Sequence, residues 1–272
     1  MDDVPLEKIT YYAAEDADIA LQLAKVFIPR LEKNNQIEFF QKIEMPLISV
    51  LISMEKDGVF INQNILKKMS IDIGDRIDNL VEKIHKISGE EFNINSTQQL
   101  ATILFDKLKL RQIKKRSTAE IILIELSKEH ELPSIVLEYR KLNKLKNTYI
   151  DALPALINSN TDRVHSTYNQ TIASTGRLSS TNPNFQNIPI RSERGRNIRK
   201  AFVPHQSNWK ILSADYSQIE LRIMAHLSGD VELCSAFNNN LDIHARTASL
   251  IFNVSKEDIS HEMRRTAKVI NF

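Results

Sequence analysis

Three groups of residues in this sequence have types and spacings that could do chemistry. The run Lys210-Ile211-Leu212-Ser213-Ala214 is apolar enough to form a strand, which would deliver the carboxylate of Asp215 at its end. A carboxylate held at a strand terminus can bind a hard cation such as Mg²⁺ through oxygen. A plainer reading also fits: Ser217 and Glu220 have the Ser-x-x-Glu spacing of a capping box, so Asp215 could simply precede a helix start. Spacing alone leaves both readings open. In the second group, Arg264, Lys268 and Phe272 recur every four residues and share one helical face. Two cations one turn apart with an aromatic ring beyond suit a phosphate tail carrying a sugar or base, although a solvated basic face has the same pattern. The third group is donor-bearing: Arg177, Asn184, Gln186 and Asn187 lie in a turn-rich segment. Asn and Gln there can satisfy turn backbones. They can equally present donors to a DNA minor groove, whose acceptors sit alike in all base pairs.

The elements that must position these groups are mostly helical. Ala13, Ala17, Ala20, Leu21, Ala24 and Phe27 set a helix over 10–31, and a second covers 38–56 and ends at the turn signal Asp57-Gly58. Amphipathic spacing predicts further helices over 66–87, from Ser96 towards Lys109, over 117–130 and over 134–156. From about Asn158 to Asp215 the text is rich in turns, with β-like pieces at 164–169, 200–203 and 209–214, and helices resume afterwards. The expected class is α+β, mostly helical, with a small sheet between helical blocks.

Bulk numbers exclude some alternatives. At 272 residues, 42% hydrophobic and 26% charged, the chain can build a sizeable core. Apolar runs such as Ile121–Ile124 fall far short of the ~20 residues that span a bilayer, so no membrane partner is expected. One cysteine, Cys234, excludes a disulfide framework, and the start lacks a secretory pattern; both fit a reducing cytoplasm. The net charge of +2 is too mild to argue for a polyanion, but it is unevenly spread. Basic runs at 107–116, 140–146 and 191–200 favour a side that faces phosphates.

Motifs narrow this further. Asp215-Tyr216-Ser217-Gln218-Ile219-Glu220-Leu221-Arg222 resembles the first polymerase motif of the bacterial family A DNA polymerases. Thr175-Gly176-Arg177-Leu178-Ser179-Ser180, with Pro183 to Pro189, resembles the family's primer-template segment, and Arg264 to Phe272 resembles the opening of its nucleotide-binding finger helix. The similarity runs in the right order over nearly the whole chain. It implies a partial right-hand polymerase fold and template-directed DNA synthesis, with two Mg²⁺ ions held by Asp215 and the backbone carbonyl of Tyr216. It also implies nucleotide contacts from Gln218, Glu220 (crowding the sugar 2′ position), His244, Arg264, Lys268 and Phe272, with Lys268 also able to protonate the leaving pyrophosphate. DNA contacts are implied for Lys144, Lys146, Arg177, Asn184, Gln186, Asn187 and Arg191.

By the same resemblance, 1–35 is a remnant of an RNase H-like 3′–5′ exonuclease domain, with Tyr12 and Asp16 on one helix face. The connection and palm entry fall at 36–60, a helical thumb at 61–156, a palm portion at 157–230 and the start of the fingers at 231–272. The family's later Tyr-Gly and His-Asp-Glu motifs are not found here. The expectation is therefore an incomplete, inactive piece of a monomeric cytoplasmic, nucleoid-associated enzyme whose partners are primer-template DNA and deoxynucleoside triphosphates. The alternative is a DNA-binding fragment without catalysis.

Overall fold

A computed structural model describes residues 4–190 and 193–271, which form two compact units, Met1–Lys210 and Ile211–Phe272. The division falls inside the stretch 157–230 that the sequence reading assigns to one portion.

The first unit begins with α1 (Leu6–Lys33), a 28-residue helix that buries none of its residues. The chain then passes through α2 (Ile37–Phe39) and a wide turn of helix at Phe40–Glu44 into α3 (Met45–Asp57). The Asp57-Gly58 stop signal holds: Gly58 terminates α3 with φ 60° and ψ −172°, a region open essentially to glycine. Asn62 then caps α4 (Gln63–Ser88), its side chain accepting from the Asn64 N–H at 3.0 Å, and left-handed Gly89 closes that helix. Ser96 opens α5 (Thr97–Ala101), as its type predicts, and a wide-turn stretch continues to Lys107.

The expected helix over 117–130 is shorter, α6 (Glu120–Leu126). The one expected over 134–156 is α7 (Glu131–Leu145), a wide turn at Lys146–Ile150 and α8 (Ala152–Ala155). Tyr149 and Ile150 in that wide turn are both buried. α4 and α7 pack against each other, and with α5 and α6 they enclose a core in which Leu66, Ile84, Leu104, Leu123, Leu132 and Val136 are fully buried.

The small sheet is two antiparallel pairs. β1 (Ile157–Asn158) meets β2 (Arg163–Val164), and β3 (Thr167–Asn169) meets β4 (Ser179–Thr181). A 3₁₀ turn at Phe185–Asn187 and α9 (Glu193–Arg199) follow. Of the piece expected at 200–203, only a single bridge forms, between Phe202 and Ile61.

The second unit corrects a larger expectation. Residues 209–214 form no strand, and Leu212 is 92% exposed. A strand needs a paired edge to satisfy its backbone, and no described segment pairs with this one. Helices α10 (Ile219–Ser228), α11 (Val231–Asn238), α12 (Ile243–Phe252) and α13 (His261–Ile270) follow, each packed on the next.

Candidate functional site

The best-built polar arrangement lies in the second unit, where α12 and α13 pack side by side. Asp242 is the N-cap of α12, its carboxylate accepting from the Ala245 N–H at 3.1 Å. The other carboxylate oxygen takes Nε of Arg264 at 2.7 Å, from the second turn of α13. Burial pushes the Asp242 carboxyl up, but the Arg264 bond and the backbone N–H groups outweigh it and hold the group below the usual aspartate range. His244, one residue into α12, is only 2% exposed. Burial and then Arg264 hold its imidazole below the usual histidine range against the opposing pull of Asp242, with Lys268 adding to the depression.

Lys268 lies one turn beyond Arg264 and is exposed, so α13 presents both cations beside a neutral histidine. This is chemistry suited to a polyphosphate: Arg264 is held in place by a carboxylate, Lys268 reaches solvent, and His244 supplies a ring nitrogen. The third member of the spaced set, Phe272, lies outside the described residues. α13 itself ends at Ile270, with Asn271 as its C-cap.

The strand-end carboxylate is arranged differently from its expectation. Asp215 and Tyr216 are exposed on an irregular segment, and a hydrogen bond from Arg222 Nε to the Ser217 carbonyl at 3.0 Å ties that segment to α10. The Arg222 guanidinium also stacks on the Phe237 ring, 4.6 Å from its centroid. The Ser217–Glu220 capping box does not form. The N-cap is Gln218 in a left-handed conformation at φ 54°, without a side-chain cap bond, and Glu220 lies in the first turn, exposed. Among the described residues no three His, Cys, Asp or Glu side chains come together as a metal site. Asp215 and the Tyr216 carbonyl are hard oxygen donors that fit a share in one Mg²⁺ coordination sphere, completed by waters and phosphates, but not a closed cage for two ions.

In the first unit the donor segment is partly used up by its own turn. Asn184 caps the 3₁₀ turn, its side-chain oxygen accepting from the N–H groups of Gln186 and Asn187 at 3.0 and 3.2 Å. Gln186 Nε2 donates to the Leu178 carbonyl at 2.8 Å, and the Asn187 carbonyl accepts from the Tyr149 hydroxyl at 2.6 Å. The Asn184 oxygen and the Gln186 amide thus serve the turn, while the Asn187 contact is made by its backbone. Arg177 is exposed just before β4. Arg191 lies outside the described residues.

Several members of the basic runs are matched by nearby acidic side chains. Lys107 pairs with Glu90, Arg111 with Glu125 and Glu129, and Arg116 with Asp106. Arg140 donates to the Thr118 carbonyl at 2.6 Å, and burial lowers its pKa. Lys146 reaches Ser70 and Asp151, at 2.5 and 2.8 Å, whereas Lys144 is exposed beside a cleft of about 590 Å³ that Lys141, Asn187 and Arg194 also line. Tyr12 and Asp16 are exposed on α1, one turn apart.

Asp242 was not among the residues picked out by motif, although Asp before a helix start is a legible cap signal. Asn271 and Thr247 leave no local signal, because their contacts to His244 and to each other join two helices.

Against known proteins, a family model described as DNA polymerase family A matches residues 63–272. DNA polymerase I of Bacillus subtilis is 44% identical over 274 residues, covering 99% of this chain and 31% of that protein. DNA polymerase I of Pseudomonas aeruginosa is 46% identical over 278 residues, covering 100% and 30%. A solved structure, the POL domain of Pol1 from M. smegmatis in complex with DNA primer-template and dNTP, superposes with a TM-score of 0.85 at 38% identity, over 92% of this chain and 45% of that one. The chain thus spans about three-tenths of the length of these curated relatives. Among the described residues no helix is long and apolar enough to cross a membrane.

Proposed function

The chain belongs to DNA polymerase family A, and from that premise we propose that it forms part of a template-directed DNA polymerase, holding primer-template DNA with its first unit and a deoxynucleoside triphosphate with its second. The observation that carries this reading is the α12–α13 arrangement, where Arg264, anchored on Asp242, and Lys268 flank His244. Arg264 and Lys268 would bind the phosphates, and Lys268 would stand ready to give a proton to the leaving pyrophosphate. Glu220 and Gln218 would approach the sugar, with Glu220 excluding a 2′-hydroxyl, and Phe272 would lie by sugar and base.

Asp215 and the Tyr216 carbonyl would hold Mg²⁺, which when bound activates the primer 3′-hydroxyl and stabilises the leaving group. On the DNA side Arg177 would reach the terminal pair through the minor groove, with Asn184, Gln186, Asn187, Arg191 and Lys144 along the path. Lys146, engaged with Ser70 and Asp151, is the weaker phosphate ligand of the thumb pair. The thumb would span 61–156. Residues 1–35, whose helix α1 buries nothing, would be the trailing part of an exonuclease domain. The working enzyme would be a monomer in the bacterial cytoplasm, at the nucleoid.

A second reading applies to the 272-residue chain alone: it grips duplex without extending it, because the polymerase motif present supplies one carboxylate, Asp215, towards a site for two ions. The test uses the purified chain with a labelled primer-template, Mg²⁺ and all four deoxynucleoside triphosphates. Expected are binding that weakens steeply with salt and no added nucleotides. Mg²⁺-dependent extension would overturn the second reading, and absence of duplex binding even at low salt would overturn the DNA grip itself.

A further inference from the structure

We propose that Asn271 is a positioning residue for His244, holding the imidazole with its proton on Nε2 and fastening the last turn of α13 to α12. The inference rests on the reading of α13 as a triphosphate-binding helix for its consequence, but not for its geometry. Asn271 is the C-cap of α13, and its side chain crosses to α12. Its Oδ1 lies 3.1 Å from the Thr247 hydroxyl, which donates to it, and Nδ2 stands 3.0 Å from the ring Nδ1.

An amide NH₂ can only donate. With the amide in this orientation Nδ1 accepts, and the neutral ring carries its proton on Nε2. The opposite tautomer would set an N–H against an N–H in this orientation, inside a site where the histidine is 2% exposed, and would require the Asn271 amide to turn over with the Thr247 hydroxyl as acceptor. The charged groups acting on the ring agree with a neutral imidazole: Arg264 and Lys268 from α13 disfavour a third cation, and Asp242 of α12 is already engaged by Arg264. The result is a histidine of fixed tautomer and orientation, registered to the helix that bears both phosphate-binding cations. In that state the ring is a hydrogen-bond donor through Nε2 and does not compete with a phosphate for protons near neutral pH.

The experiment is long-range ¹H–¹⁵N spectroscopy of the ¹⁵N-labelled 272-residue chain near neutral pH, without nucleotide, on wild type, Asn271→Asp and Thr247→Val. In wild type the His244 Nδ1 should resonate as an unprotonated acceptor and Nε2 as protonated. Asn271→Asp keeps the shape but replaces the donor by an acceptor. It should move the proton to Nδ1 or charge the ring, raising its pKa by on the order of one unit. Thr247→Val removes the hydroxyl that orients the amide and should give a mixture of tautomers.

A wild-type ring protonated on Nδ1, or an Asn271→Asp spectrum identical to wild type, would overturn the proposal. Should Asn271→Asp fail to fold, the wild-type and Thr247→Val spectra decide it. The same samples titrated with dATP separate the two readings. Asn271→Asp should bind about tenfold more weakly through the added negative charge and the altered ring. An Nε2-protonated ring in a chain that binds no dATP would sink the triphosphate reading and leave the positioning role standing. Binding of dATP by a chain whose ring is protonated on Nδ1 would do the reverse.

Discussion

The helical block from α4 to α8 and the four helices α10 to α13 are built on different principles. In the block each helix turns its apolar stripe onto another helix, and Leu104, Leu123, Leu126, Leu132 and Val136 are completely buried. In residues 211–271 the buried side chains are Ala225, Ala236, Ile243, His244, Ala248 and Ala267, mostly small. Leu227, Val231 and Leu250 there stand 77%, 78% and 76% exposed. Burying one leucine contributes roughly 1.5–3 kcal/mol, so the block holds most of the hydrophobic stabilisation. The groups with the richest chemistry sit where order comes from caps, an ion pair and side-chain bridges between helices. A low-stability region of this kind is free to respond to what binds it.

The largest expected effect tests that contrast directly. Leu123→Ala should cost about 2–5 kcal/mol, because its fully buried side chain leaves a cavity, whereas Leu227→Ala should stay within about 0.5 kcal/mol. Native-state hydrogen exchange reads the two regions separately. Amides of α4 and α7 should lose protection in the first variant and none in the second. Similar losses from both substitutions would break the comparison.

Next in size is Gly58→Ala, which sharpens the comparison at the edge of the first unit. A Cβ there would lie 2.8 Å from the Val164 carbonyl oxygen and 2.7 Å from His165 Nδ1, on a backbone at φ 60°. The conformation alone costs an alanine roughly 1–3 kcal/mol. The Val59–Val164 bridge that follows would have to shift as well. A urea midpoint unchanged by the substitution would show that this junction is soft, unlike the block it serves.

The Gly58 turn was legible in the sequence because its cause is local: a helix stops where only glycine can adopt the next backbone angles. The same holds for Ser96 opening α5 and for the apolar spacing that placed α4 to within three residues. What failed was non-local. The run 209–214 has the composition of a strand, but a strand exists only with a partner. The Ser217–Glu220 pattern has the spacing of a cap, but the backbone turns at Gln218 instead. Within the candidate site the spacing of Arg264 and Lys268 was readable from helical period alone. Their relation to His244 was not, since it depends on α12 meeting α13. Asn184 and Gln186 are bonded within their own turn, a local use of these side chains that the sequence allowed alongside groove contact.

The smallest effect concerns what holds the second unit together. Asp242 caps α12 and pairs with Arg264, so Asp242→Ala should cost about 1 kcal/mol from the cap, with a smaller part from the half-exposed pair. Asp242→Asn keeps a capping oxygen and removes only the charge, so it should retain most of that stability. The folded carboxyl titrates below its ordinary value, so its stabilisation is fully present above about pH 4 and is lost as pH falls through the lower folded value. Wild type should therefore lose protection in α12 and α13 on acidification below that point, and Asp242→Asn should show a flatter profile. Confinement of the Asp242→Ala loss to these two helices, with α4 and α7 unaffected by that substitution, is what the contrast requires. A loss shared equally by α4 would mean that the two regions unfold as one, and that the packed block depends on the helices that carry the chemistry.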